Sequence, residues 1–273
     1  MLEEPVNVAI VQAQSVAGDV DRNLHTLERT VKESVRRGAD LVVTPELFAT
    51  GYAPATAWQH DGQVIRAHLA ELSARHGVGL VASTVDEADT RRHISASFFC
   101  PNDGEGTRVH KHHLFGDEER AHFHPGEGYA QPFQWRTLTW GMGICYDVEF
   151  PEFARYEARH GADVLLIPTA VPAVADQGPR TDSQQMSETS LRYSADLIST
   201  LQVPARALDN GVYVAYANHC GPGFTGRSCI ATPVGRLTSL LDATEPGVAV
   251  APVRTSAIRH ARALNTYLND LEG

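Results

Sequence analysis

No apolar run in the 273 residues reaches the length that spans a bilayer, which excludes a helical membrane protein. The N-terminus, Met-Leu-Glu-Glu-Pro, leads into a strand-like segment with no basic stretch and no signal-like apolar core. Cysteine is scarce. Cys100, Cys145, Cys220 and Cys229 show no CxxC spacing, so neither a disulfide scaffold nor a cysteine metal ribbon is written here; reduced thiols in a cytoplasmic protein are expected. Basic residues are outnumbered, and a formal charge of −10 argues against nucleic acid and anionic membranes as partners. Low-complexity tracts are few, and the length suits one large domain over residues 1–273 with a complete core.

What is present reads as alternating strands and helices, hence an α/β fold. Strands are expected at Val6–Ala13, Leu41–Thr44, Val78–Thr84, Ser95–Phe99 and Thr107–His113. Further strands are expected at Phe133–Trp140, Met142–Cys145, Val164–Ile167, Val212–Ala217, Cys229–Leu237 and Val248–Val253. Asp19 or Asp21 can cap a helix carrying Leu24, Leu27, Val31 and Val35 at helical spacing, and a second helix is expected near Val64–His76. Arg36-Arg-Gly-Ala-Asp-Leu-Val-Val-Thr-Pro45 parallels Arg159-His-Gly-Ala-Asp-Val-Leu-Leu-Ile-Pro168. Any two βα units could converge on that pattern, but Gly-Ala-Asp and Pro coincide in register. A pseudo-symmetric pair of sheets is therefore expected, with Glu46 and Thr169 at matching strand ends facing one cleft. Residues 173–200 are rich in Ser, Thr, Gln and Asp and read as an extended loop or lid, with a helix from Ser190 through Leu201.

Three segments carry chemistry. Gly-Met-Gly-Ile-Cys-Tyr-Asp (141–147), followed by Phe-Pro-Glu-Phe (150–153), puts Cys145 at a strand-to-helix junction, with Pro151 in the first helical turn and Gly161 at the helix end. The positive end of a helix favours thiolate; an inert buried cysteine is the equal alternative. Ala39-Asp-Leu-Val-Val-Thr-Pro-Glu46 is a buried strand ending on a carboxylate. Val109-His-Lys111-His-His-Leu-Phe-Gly-Asp-Glu-Glu119 carries a lysine and, further on, a glutamate. Taken singly, Glu46 reads as a capping or salt-bridged carboxylate and Lys111 as a solvated strand lysine. Together, a thiol, a base and a cation are what acyl transfer at carbon–nitrogen bonds needs.

With these motifs in this order, the chain resembles the nitrilase superfamily of carbon–nitrogen hydrolases, in its amidase- and carbamoylase-like branch. The resemblance spans nearly the whole sequence and implies a four-layer αββα sandwich. It implies a catalytic set of Glu46, Lys111 and Cys145, with Glu119 as the additional family glutamate; Asp117 and Glu118 could take its place if the turn is shifted. Cys145 would attack the carbonyl carbon, and Glu46, its pKa raised by desolvation, would act as general base. Lys111 and the backbone N–H of Tyr146 would hold the oxyanion. Glu119 would orient substrate and Lys111. Tyr146, Phe48 and Tyr52, with Thr169 and Ala170 opposite, are expected to line the pocket. Family nitrilases typically show Cys-Trp-Glu; Cys145-Tyr146-Asp147 favours linear amide or N-carbamoyl substrates over nitriles. Acyl transfer, or a non-catalytic binding protein on the same fold, are the alternatives. The family also implies a homodimer or larger homo-oligomer built on Pro151–His160, with Phe153 and Tyr156 as contacts, and on the C-terminal segment.

His110, His112, His113, His122 and His124 are dense enough to raise a metal site. No carboxylate or cysteine completes a recognisable ligand pattern, so neither metal nor cofactor is expected. Strand alternation sets Lys111 opposite His110 and His112. Arg206 and Asn210 read as structural.

Overall fold

The computed structural model describes residues 4–88, 90–173 and 195–271. The chain first lays down β1 (Val6–Gln12), α1 (Val20–Arg36), β2 (Leu41–Val43), α2 (Pro54–Ala57), α3 (Gly62–His76), β3 (Gly79–Ala88), β4 (Arg91–Cys100), β5 (Gly104–His110) and α4 (Gly116–His122). There follow β6 (Phe133–Trp135), β7 (Leu138–Met142), α5 (Pro151–Arg159) and β8 (Val164–Pro168). After these come α6 (Val203–Asn210), β9 (Tyr213–Ala217), β10 (Cys229–Ala231), β11 (Leu237–Leu240), β12 (Gly247–Val253), α7 (Thr255–Leu264) and α8 (Tyr267–Asp270).

Two six-stranded sheets result, ordered β12-β1-β2-β3-β4-β5 and β11-β10-β9-β8-β7-β6. Reversing the second gives β6-β7-β8-β9-β10-β11, and the two then match strand for strand. In each sheet three parallel strands are flanked by one antiparallel strand on one side and an antiparallel pair on the other. The Gly-Ala-Asp repeat leads into the matched strands β2 and β8, so the internal similarity reflects a true structural repeat.

Strand alternation sorts the core. Val8, Ile10, Leu41, Val43 and Val81 face the second sheet, while Ala9, Val11, Val42, Leu80 and Ala82 face outward beneath α1 and α3. The second sheet is covered by α5 and α6, and its β8 is buried on both faces. The expected αββα layering is therefore the observed one. Asp19, rather than Asp21, caps α1 by accepting from Arg22 N at 3.2 Å. α3 begins two residues earlier than expected, capped by Asp61 and ended by Gly77 at φ 64°.

Several boundaries differ from the sequence reading. Phe133–Trp140 is a hairpin rather than one strand, because Arg136 turns the chain at φ 53°. Cys229–Leu237 is likewise two strands, broken by Pro233 and by Gly235 at φ 72°. β7 stops at Met142, and Cys145–Glu149 is a 3₁₀ turn ahead of α5. The helix expected from Ser190 through Leu201 is a 3₁₀ turn over Ala195–Leu197 followed by a π-helical turn over Ile198–Gln202, and its earlier residues lie outside the described ones. The lid expected near 173–200 also falls mostly outside them. Phe153, expected at a subunit interface, is buried, its ring so close over Gly143 that no side chain fits there.

Candidate active site

The chain leaving β2 reaches Glu46 through Thr44 and Pro45. The Glu46 N–H donates to Thr169 O at 3.1 Å, and the Glu46 oxygen accepts from His219 Nε2 at 2.6 Å. A carbonyl only accepts, so His219 carries its hydrogen on Nε2; Nδ1 then accepts from Ser15 Oγ at 3.3 Å. Leu47 follows at φ 48°, a left-handed conformation costing a non-glycine residue about 1–2 kcal/mol. The Glu46 backbone, which follows a strand of the first sheet, is thus held on both its N–H and its oxygen by the second sheet, just ahead of the strained Leu47.

Lys111 lies one residue beyond β5, its N–H donating to Ile94 O and its oxygen accepting from Gly126 N, both at 2.8 Å. Its side chain is fully buried, whereas His110 and His112 are half-buried on the other side. Lys111 Nζ donates to Glu46 Oε1 at 2.8 Å and to Glu119 Oε1 at 2.7 Å. Glu119 comes from α4, accepts from Tyr52 Oη at 2.7 Å on Oε1, and accepts from Phe115 N at 2.7 Å on Oε2. Glu46 Oε2 is buried with no hydrogen-bond partner among the described residues.

Cys145 is buried at φ 49° and heads the 3₁₀ turn; its Sγ lies 3.6 Å from Ala170 O. Asp147 locks this turn. Its Oδ2 accepts from Ile144 N at 3.0 Å, and its Oδ1 accepts from His113 N at 2.8 Å and His113 Nδ1 at 2.9 Å. One carboxylate therefore ties the thiol's turn to the loop bearing Lys111. Arg206 braces the turn from α6, donating to Val148 O at 3.1 Å and Glu149 O at 2.6 Å. That is the structural part expected of it.

Burial raises the Glu46 pKa to about 7 against the pull of Lys111, with Glu119 adding to the rise. Burial also acts on Lys111 and would lower its pKa, but Glu46, Cys145 and Glu119 drive it upward, so it stays an ammonium. The thiol departs from the thiolate that a helix end would favour and agrees with the buried-cysteine alternative. Burial, then the charge of Glu46, push Cys145 well above its ordinary value, and Lys111 offsets only part of this. Burial and the Glu46 carboxyl together favour the thiol over the thiolate. His219, pushed down to about 4 by burial, stays neutral.

The expected pocket residues divide. Tyr52 touches Glu119, and Ala170 presents its carbonyl to the thiol. Tyr146 is half-buried, edge-on to Phe115 at 5.3 Å and to Phe150 at 5.0 Å. Phe48 is buried under α1 and α3 and stacks on His219 at 5.4 Å. Thr169 turns Oγ1 back to Ile167 O at 3.2 Å and serves through its main chain. The histidines near Lys111 are committed to separate partners. His110 pairs with Asp86 at 2.8 Å, His112 donates to Gly126 O at 2.8 Å, and His122 stacks on Trp58. Among the described residues, no group of three or more His, Cys, Asp or Glu could hold a metal ion. Sequence reasoning missed His219, Asp147 and Ser15 as positioning groups; only Asp147 sat inside a quoted motif.

Residues 7–263 match the carbon-nitrogen hydrolase family. The chain belongs to that family. A nitrilase from Pyrococcus abyssi (strain GE5 / Orsay) is 31% identical over 97% of this carbon–nitrogen hydrolase and 94% of its own length. An N-carbamoylputrescine amidase from Oryza sativa subsp. japonica is 26% identical over 93% and 88%. Among solved structures, a double mutant of the amidase from Nesterenkonia sp. AN1 in complex with acrylamide superposes with a TM-score of 0.82 at 29% identity, covering 99% of this chain and 95% of that one. Another mutant of that amidase shows Michael addition of acrylamide at its active-site cysteine, at 30% identity, a TM-score of 0.79, and 95% and 97% coverage. The carbon–nitrogen hydrolase described here is accordingly an amidase-like enzyme.

Proposed function

We propose that Cys145, Glu46 and Lys111 hydrolyse the carbon–nitrogen bond of a small linear amide or N-carbamoyl compound through a thioester, with Glu119 holding Lys111 in place. The observation that carries this is a buried ammonium fixed between two carboxyls beside a buried thiol, with one carboxyl oxygen, Glu46 Oε2, left unpartnered among the described residues.

Glu46 takes the Sγ proton as sulfur attacks the carbonyl carbon, so a high thiol pKa is no obstacle: transfer and attack proceed together. The oxyanion is held by the one Lys111 N–H not spent on Glu46 and Glu119, and by the N–H of Tyr146. Glu46 returns the proton to the leaving nitrogen, which departs as ammonia or an amine. Water then attacks the thioester, again giving its proton to Glu46; the acid leaves and sulfur recovers its hydrogen. The solved relative complexed with acrylamide supports the choice of small amides. Nitrile hydrolysis is the second reading, favoured by the Pyrococcus relative.

Ammonia release should be screened across small amides, carbamoyl amino acids and nitriles, with mass spectrometry of the trapped enzyme. An acyl adduct on the Cys145 peptide is expected. An adduct on Cys100, Cys220 or Cys229 refutes the assignment.

The protein is also inferred to act as a single domain, in a reducing cytoplasm that suits its unpaired cysteines, and as at least a dimer. Exposed Leu201, Leu264, Tyr267 and Leu271 supply apolar area for pairing, in place of the buried Phe153. Light scattering at micromolar concentration tests this, and a strict monomer contradicts it.

A further inference from the structure

A stack of rings runs outward from the core beside the reactive centre. Phe48 and His219 are fully buried and stacked at 5.4 Å, and Phe224 stacks on the same His219 ring at 4.8 Å. Phe224 is only half-buried, so the stack ends on an aromatic surface that is partly open.

Both carboxyls that hold Lys111 are tied to this stack. His219 donates to Glu46 O at 2.6 Å. Tyr52 lies edge-on to Phe224, ring centroids 6.1 Å apart, and donates Oη to Glu119 Oε1 at 2.7 Å. Burial, then the charges of Glu46, Glu119 and Cys145, push the Tyr52 phenol well above its ordinary value, so this ring lies within electrostatic reach of all three. The main chain supplies a second link. Ala170 O is 3.6 Å from Cys145 Sγ, and Pro172, two residues on, pairs with Phe224 in an antiparallel bridge. At about 3.4 Å per extended residue, Pro172 is about 7 Å from Ala170, within the span of a small amide.

The loop that carries Phe224 is fixed. Thr225 N donates to Val171 O at 3.1 Å, and Ala173 N donates to Gly223 O at 2.8 Å. Buried Asn218 accepts from Val171 N at 3.0 Å and donates to Gly226 O at 2.7 Å, joining the loop to the same stretch. The wall is also uncharged: Tyr52 keeps its hydrogen, and burial holds His219 neutral, pushed down to about 4. An open, rigid, neutral ring beside a reacting centre gains by being covered with apolar groups.

We propose that Phe224 is a specificity-determining residue: the apolar stem of the substrate packs on its open surface, and the ring limits how bulky that stem can be. This rests on the amide-hydrolase reading above and adds to it a residue outside the catalytic set.

The test compares kcat/KM on acetamide, butyramide and phenylacetamide for wild type, Phe224→Ala and Phe224→Leu. Wild type should favour butyramide over acetamide by about tenfold, the worth of its two added methylenes when buried. Phe224→Ala should shrink that ratio about fivefold and raise the phenylacetamide-to-butyramide ratio about fivefold. Phe224→Leu keeps apolar area and should retain most of the butyramide preference. Equal wild-type rates on acetamide and butyramide overturn the proposal. So does a fall by one common factor on all three amides in Phe224→Ala, which would mean that the ring only supports His219.

A second measurement is independent of turnover: calorimetric titration of acetamide and of butyramide into Cys145→Ala, with and without Phe224→Ala. The added substitution should weaken butyramide about fivefold more than acetamide; equal weakening overturns the proposal. If the affinity ratio depends on Phe224 while wild type hydrolyses no amide, the apolar wall stands and the amidase reading falls.

Discussion

His219 donates its Nε2 hydrogen to the main-chain oxygen of Glu46 at 2.6 Å from a fully buried ring. The bond reaches across the seam between the sheets and fixes the residue just before strained Leu47. His219→Leu leaves that oxygen buried without a donor, a loss of about 1–3 kcal/mol, and frees Glu46 to drift. It should lower kcat/KM by about 100-fold. His219→Gln keeps an N–H at the same reach and should recover most of that loss. If Gln and Leu are equally poor, the ring's packing against Phe48 and Phe224 matters and the hydrogen bond does not.

Cys145→Ala should abolish turnover with an unchanged far-ultraviolet circular dichroism spectrum, since one sulfur atom is removed from an otherwise intact turn. Glu46→Gln should lower kcat by about 10²–10⁴, the usual worth of a general base. Lys111→Ala should lower it by at least about 10² through the lost oxyanion donor. The Glu46→Gln/Lys111→Ala pair should lose far less than the product of the two single effects, because both act on one reacting centre. Full additivity in steady-state kinetics would separate their roles. Lys111→Ala should also lower the melting temperature, since stranding two buried carboxyls costs about 3–5 kcal/mol.

Activity should rise with pH through about 7. Glu46 accepts a proton only when ionised, and burial raises its pKa to about 7. Below that value, log kcat/KM should fall by about one per pH unit. A profile flat from pH 5 to 8 would show that a different group is the base.

Glu157 lies buried on α5 beside Gly141, with both carboxyl oxygens unpartnered among the described residues, and burial and nearby Asp147 push its pKa to about 8. The folded state therefore holds this proton more tightly than the unfolded chain, whose glutamate titrates near 4.5. The sign follows: the contribution is full below pH 4.5 and is lost as pH rises through about 8. Urea denaturation should show wild type losing a few kcal/mol, about 1.4 per pH unit, across this window, relative to Glu157→Gln. Parallel pH dependences for the two proteins would mean that Glu157 is ionised and paired.

Much of this arrangement was legible in the chain. Lys111 is one of only two lysines, the other being Lys32, and Cys145 stands among glycines that admit α5 close behind it. The repeated Gly-Ala-Asp marked the two matched strands because both halves solve the same packing problem. What escaped were turns and distant partners. Arg136 and Gly235 end strands by adopting positive φ inside stretches whose apolar pattern continues. The state of the thiol depends on Glu46, a residue far away in sequence. His219 and Glu46 are 173 positions apart, and no local pattern encodes such a pairing.

The two matched sheets divide the chemistry between them. Glu46, Lys111 and Glu119 follow strands of one, and Cys145 follows a strand of the other. A chain with only one sheet formed therefore holds either an acid–ammonium cluster with no nucleophile or an ordinary thiol with no base. Amide hydrolysis therefore requires the two sheets to be docked, and in a denaturation experiment catalysis should disappear ahead of the β-sheet signal. The seam makes turnover, rather than the bare nucleophilicity of the sulfur, a property of the finished molecule.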